Sequence, residues 1–393
     1  MSASLVIQFR NNASFLAVWT LSASLLLGIL VGLRRLSRMR KERETNTNSR
    51  GGDEIKLPFL SNIVPFKGLP IYDKPEWPRC WKAGKYQLTM GLRKLDPDNW
   101  MTFDNQWEIE HKAKLEYASR KDKETIVDYL DGEDEAAVEL LEVIVTYITR
   151  RYPDMFCLEG DQIIIIPIGE RYRIKAPYDR HPLETASLLV MDDLYILKQG
   201  EGDLYYLRGA FLAAPTGWRL DQKIGWPLHQ IHDPVPLWKE KLKKSMERFF
   251  VNLKVNSPIQ RNNLFVQPCG EIFHHDRFES YPEVKRIEDL WIRTELQSLC
   301  RLPRSKAVVF SVRTYMAKMT ELKEEPAALE RLWDAVRNFP DIVSEYKSVQ
   351  LWKDVFEAFC REELGKNEPE IDANTRDGVT TAYQPKACPA GFT

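Results

Sequence analysis

Apolar and polar positions divide the 393-residue chain into stretches of different kinds. Residues 13–33 (ASFLAVWTLSASLLLGILVGL) carry no charge over a length that crosses a bilayer as a helix, and Arg34, Arg35, Arg38, Arg40, Lys41 and Arg43 follow at once. This pattern predicts a transmembrane signal anchor after a short lumenal N-terminus, residues 1–12. The basic flank puts the C-terminal body in the cytosol, so the expected location is a single-pass position in the endoplasmic reticulum membrane. A cleaved signal peptide would carry its basic residues ahead of the apolar run, the reverse of what is found. Residues 34–56 are basic and polar and read as a tether, residues 57–365 as the folded body, and residues 366–393 as a low-hydrophobicity, disordered tail.

Within the body, Pro58, Pro65, Pro70, Pro75 and Pro78 predict an extended approach, and Asp96 before Pro97 suits a helix cap. Residues 107–119 read as a polar helix. Residues 133–151 place Ala137, Leu140, Leu141, Ile144, Val145 and Ile148 at helical spacing. The β-branched run 163–168 reads as a strand that Pro167 confines to a sheet edge or a strand terminus. A helix passing into a strand is expected over 182–197, with further strands over 204–211 and 307–315. Between them, 235–252 and 288–302 are helical by pattern. Two closing helices bury Trp333, Phe339, Trp352, Val355 and Phe359. Strands interspersed with helices give an α+β body.

Composition narrows the function. With 56 Lys and Arg against 57 Asp and Glu, the chain has no overall field to attract nucleic acid. The six cysteines (Cys80, Cys157, Cys269, Cys300, Cys360 and Cys388) form no CxxC pair and share no zinc-ligand spacing with histidine, so they read as free thiols. No GxGxxG, P-loop, GxSxG or HExxH motif is present. His274-His275-Asp276 points adjacent side chains apart and reads as an exposed loop.

The densest chemistry lies in residues 204–236, where apolar strand-formers, prolines and two tryptophans surround His229 and His232. An apolar wall with a few polar groups suits a cofactor pocket. Read without other information, His232 is a buried histidine in a proline-rich turn.

Five segments in order carry a family likeness: MGLRKLDPDNW, RRYPDMF, LLVMDDLYIL, a W-x4-K-x-G-x-P-L-x-x-IHDPVP run, and IRTELQSLCRLPRSKAVVFSVRTY. Together, over residues 58–362, they resemble the haem-dependent oxidative N-demethylase alpha-subunit family. Arg293, Glu295, Gln297, Leu299, Arg301, Leu302, Pro303, Ser305 and Ala307 match its last motif, whereas Leu296 stands where that family usually has Arg.

The resemblance implies a PAS-like antiparallel sheet with flanking helices, holding haem b. It also implies a haem-dependent oxidoreductase, a monooxygenase that removes N-methyl groups from a small organic substrate, in a setting such as specialised metabolite biosynthesis. Electrons would come from a separate flavin/iron–sulfur reductase. Haem iron requires a protein ligand on a fixed element, an apolar slot and basic partners for the propionates. His232 is the expected iron ligand, with His229 as rival on the opposite face of an extended segment. Cys269 is a thiolate candidate without the glycine and arginine pattern of haem-thiolate monooxygenases. Trp218, Trp226, Lys223 and Arg313 are expected to contact the cofactor, and Glu295, Arg293 and Tyr315 to serve catalysis. Glu295 either binds a substrate ammonium or pairs with Arg293 or Arg301 on a helix. The Leu296 departure leaves open a haem-binding PAS-type sensor or a non-catalytic scaffold of the same fold.

Overall fold

The computed structural model describes residues 60–273 and 281–366. Its centre is a seven-stranded antiparallel sheet. The strands are β1 (Arg93–Lys94), β2 (Val127–Tyr129), β6 (Asp193–Gln199), β7 (Tyr205–Phe211), β8 (Ile259–Gln267), β9 (Trp291–Arg301) and β10 (Val308–Lys318), in the spatial order β1-β8-β9-β10-β6-β7-β2. A smaller sheet joins β3 (Phe156–Glu159), β4 (Gln162–Ile165) and β5 (Glu170–Arg173). Helices are α1 (Trp107–Ser119), α2 (Asp134–Arg151), α3 (Pro182–Leu188), α4 (Leu228–Ile231), α5 (Trp238–Lys241), α6 (Lys243–Asn252), α7 (Pro326–Arg337), α8 (Asp341–Tyr346) and α9 (Lys353–Glu363). Helices beside antiparallel strands make the fold α+β.

Several expectations meet their elements closely. The Asp96 carboxylate accepts from the Asp98 amide at 3.1 Å and starts a short turn at Pro97. In α2 the predicted apolar stripe lies wholly inside, each such side chain contributing roughly 1.5–3 kcal/mol by leaving water. The 163–168 run forms β4, the middle strand of its sheet, and ends two residues before Pro167, so the proline sits past a terminus and not on an edge. The final helical stretch breaks at Ser348, whose φ of 51° is left-handed.

One element is corrected outright. Residues 288–302, expected to be helical, contain β9, which pairs along its whole length with β10 and from Trp291 to Leu299 with β8. Because β9 is covered on both faces, apolar and polar residues alike are buried at seven of its eleven positions, and the strict alternation that marks a strand is absent. Its partner β8 (IQRNNLFVQ) is a polar strand for the same sequence-level reason: little in it signals burial.

The last motif is largely architecture. The β9–β10 turn docks on α2 through Glu139, which accepts from the amides of Arg304 at 2.7 Å and Ser305 at 2.8 Å and from the Ser305 hydroxyl at 2.6 Å. Arg301 donates to Leu253 O and to the Tyr205 hydroxyl, both at 2.7 Å, tying the same turn to the end of α6. Replacing Glu139 with Ala leaves two amides without acceptors, at roughly 1–3 kcal/mol each. A urea midpoint unchanged in Glu139→Ala would contradict this assignment.

The single-pass membrane location expected from the sequence is corrected. Residues 13–33 lie outside the described residues, and among the described residues no helix is long and apolar enough to cross a membrane.

Candidate functional site

Alternation along the paired strands gives the large sheet two distinct faces. On the front face, β9 places Arg293, Glu295, Gln297 and Leu299, opposite Phe310, Val312 and Thr314 of β10 and Ile259, Arg261 and Asn263 of β8; Tyr195 of β6 lies beside Phe310. Helices α4 to α6 cover this face. Leu228, Trp238, Met246 and Phe250 are buried in one cluster with Tyr195, Leu299 and Val312, and Trp218, Ile231 and Phe310 pack against it.

His232 stands at the C-terminal cap of α4. Its Nδ1–H donates to Leu228 O at 2.7 Å, and its ring stacks on Trp238 with centroids 5.7 Å apart. A carbonyl accepting from Nδ1 fixes the proton there and leaves the lone pair on Nε2, the arrangement a metal-binding imidazole needs. Burial pushes the imidazole pKa down, and the charges of Arg261 and Lys223 push the same way, so the ring is neutral. The segment is one turn of helix and not extended. His229 and His232, three residues apart, therefore share a side, correcting the expectation that they oppose each other.

Glu295 is buried and accepts four hydrogen bonds: from Arg293 Nε (3.2 Å), Asn263 Nδ2 (3.2 Å), Gln297 Nε2 (2.9 Å) and Thr216 Oγ1 (3.3 Å). Burial pushes its pKa up, but Arg293 and the amides of Asn263 and Gln297 outweigh that, holding it below the usual carboxylate range. The expected Arg293–Glu295 pair thus exists, along a strand where i and i+2 share a face and not on a helix. Arg293, wholly buried, also donates to Ile272 O, Ala214 O and Thr314 Oγ1. These bonds hold its guanidinium beside Glu295.

Trp218 stacks on Tyr195 at 6.2 Å, and Lys223 Nζ lies 4.4 Å over the Trp218 ring. The expected cofactor contacts Trp218 and Lys223 therefore border the same wall as His232. Trp226 does not, being 38% exposed and outside the cluster.

Arg313 and Tyr315 fall on the back face, one residue out of phase with Val312 and Thr314. Arg313 is enclosed with Asp104 at 2.5 Å and Glu110 at 3.1 Å, and Tyr315 shares a 3.0 Å hydrogen bond with Thr102. Neither reaches the front-face group, so their expected roles are withdrawn. The same parity moves Leu296 away from Glu295: it packs against the back-face cluster containing Trp333 and Phe356. The departure from the family motif therefore lies on the opposite side of the sheet from His232. His274, His275 and Asp276 lie outside the described residues.

The front side also holds buried polar atoms with no hydrogen-bond partner: His229 Nδ1, Trp238 Nε1 and Arg261 Nε. Arg261 escaped sequence reasoning because nothing in IQRNNLFVQ distinguishes a half-buried arginine from a solvated one. Among the described residues no group of three His, Cys, Asp or Glu side chains could hold a bare metal ion, whereas haem iron asks the protein for a single ligand. The residue types that a haem calls for are present at this face: a neutral imidazole, aromatic neighbours in Trp218 and Trp238, and the cations Lys223 and Arg261.

A cleft of about 280 Å³ lies elsewhere, lined by Leu115, Glu170, Tyr172, Arg173, Arg180 and Thr185. Its lining is mainly charged and contains none of the residues above, so it lacks the apolar slot a macrocycle requires.

The likeness carried by the five sequence segments agrees with the match to a protein family. The family described as haem-dependent oxidative N-demethylase, alpha subunit-like, matches residues 91–357, about two-thirds of the chain and every front-face group named here, and the chain belongs to that family.

Proposed function

We propose that residues 57–365 form a haem domain that binds haem b on the front face through His232 Nε2 and oxidises the N-methyl group of a small amine. Dioxygen and electrons from a separate flavin/iron–sulfur reductase complete the reaction, and the large sheet with its flanking helices is read as PAS-like. The observation that carries the reading is the 2.7 Å bond from His232 Nδ1 to Leu228 O, which presents a neutral, oriented imidazole beside an aromatic wall. Family membership supports the choice of haem. When bound, haem supplies one-electron and dioxygen chemistry that side chains lack.

The chain's own residues bind and orient. Tyr195, Trp218, Phe310 and Val312 offer flat or apolar surface to a macrocycle and keep water from it. Glu295, ionised and held by four donors, is placed to receive the ammonium of a protonated amine. Its fixed position on a central strand sets where an N-methyl group would sit. Arg293 keeps that carboxylate charged and aimed.

The test is the absorption spectrum of the full chain prepared with ample haem, followed by turnover of dimethylamine and other N-methyl amines with dioxygen and a reductant. A Soret band and release of the demethylated amine are expected. Glu295→Gln should keep the band and lower kcat/KM by roughly 10–100-fold, the range for a lost charge-assisted hydrogen bond. Full activity in that variant would remove Glu295 from substrate binding, and colourless protein would remove the haem.

A further inference from the structure

We propose that Arg261 is a carboxylate-binding residue of the front-face site and takes an anionic group of the bound ligand. This deepens the haem reading and rests on it. Arg261 stands in β8 opposite Gln297, two residues before Asn263, which is opposite Glu295, so its side chain shares the face that carries the carboxylate cluster. Its Nε is buried without a hydrogen-bond partner, although Glu295 is close enough for the two charges to interact. Glu295 accepts from Arg293, Asn263, Gln297 and Thr216, and Arg261 is not among its donors.

The other charges around Arg261 do not neutralise it. Lys347, which donates to Leu264 O at 2.7 Å, is a cation, the neighbouring Tyr86 phenol is kept neutral by burial, and the His232 ring is neutral. Burial pushes the Arg261 pKa down, the mark of a cation taken from water without full compensation. A planar guanidinium in this position matches a carboxylate, which can accept two parallel N–H bonds and replace the lost hydration. The carboxylate has two possible sources with the same chemistry. One is a propionate of haem, and the other is the acid group of an N-methylated amino acid whose ammonium meets Glu295.

The experiment titrates the full chain, as wild type, Arg261→Met and Arg261→Lys, with haem, metal-free protoporphyrin IX and protoporphyrin IX dimethyl ester. Binding is read from the Soret band and from quenching of tryptophan fluorescence, with circular dichroism confirming that each variant folds. If a propionate is the partner, wild type prefers protoporphyrin over its ester by about 10-fold or more, Arg261→Met loses the preference, and Arg261→Lys retains part of it.

The second arm adds sarcosine or dimethylamine to the haem-loaded chain. If the substrate's acid is the partner, only sarcosine's perturbation of the Soret band weakens in Arg261→Met, while haem affinity stays constant. Unchanged ratios in both arms overturn the proposal. Because metal-free protoporphyrin needs no iron ligand, an Arg261-dependent preference without a His232-dependent haem band would refute the ligand assignment and leave Arg261 standing. A His232-dependent band with no Arg261 effect would do the reverse, and absence of all binding would sink both.

Discussion

Replacing His232 with Ala should remove the Soret band or shift it, and should weaken haem binding by more than the ~10–100-fold typical of losing an outer-shell partner of a metal ligand. The expectation follows from proton placement. Leu228 O holds the proton on Nδ1, so Nε2 meets iron without first losing a proton. Burial and the neighbouring cations lower the imidazole pKa against the pull of the Leu228 hydrogen bond, so any loss of haem affinity with falling pH should begin below the ordinary histidine range. His229→Ala tests the alternative in the same helical turn, and there the band should survive. A His232→Gly variant supplied with free imidazole should recover a band, because the lost group returns without its tether. An unchanged spectrum in His232→Ala would transfer the ligand role elsewhere and leave the aromatic wall without a cofactor assignment.

How much of this was legible in the sequence depends on whether a residue's surroundings are local. The α2 stripe and the Asp96–Pro97 turn are set by neighbours within a few positions, so spacing revealed them. Residues named from the sequence do gather on one side: Arg293 and Glu295 share a face of β9, Trp218 packs against the cluster over it, and His232 stacks on Trp238 of that cluster. Parity was not. Once residues 288–302 are read as helical, Glu295 and Leu296 seem to share a neighbourhood, whereas in β9 they point through opposite faces of the sheet. The same shift of one residue carries Arg313 and Tyr315 to the back. Arg261 was invisible for a related reason: the charge is in the sequence, but its burial comes from strands and helices far along the chain.

On that back face, Arg313→Met should destabilise the fold by ~3–5 kcal/mol at pH 8, the range for breaking a buried ion pair from one side, out of a total stability of roughly 5–15 kcal/mol. Arg313 Nη2 meets Asp104 at 2.5 Å, and Nη1 meets both Glu110 oxygens at 3.1 and 3.2 Å and Thr314 O at 2.7 Å. Methionine fills much of the volume but leaves two carboxylates facing no guanidinium. The deficit should depend on pH, and its direction can be worked out. Burial pushes Glu110 up to about 7 against the pull of Arg313 and Lys114, and pushes Asp192 up to about 6. The native state therefore keeps protons that the unfolded chain has released above the ordinary carboxylate range. Stability from these two groups is complete below that range and is lost as pH rises through 6 to 7. Removing Arg313 takes away the pull, raises Glu110 further and deepens the loss at high pH. Urea unfolding of wild type and Arg313→Met at pH 5 and pH 8, followed by tryptophan fluorescence, should show the smaller gap at pH 5. Adding Asp104→Asn and Glu110→Gln should return most of the stability at pH 8, because neutral amides need no counter-charge. An equal gap at both pH values, or no recovery in the triple variant, would mean that Arg313 stabilises the sheet by packing against Tyr315, 4.8 Å from its ring, and not by charge.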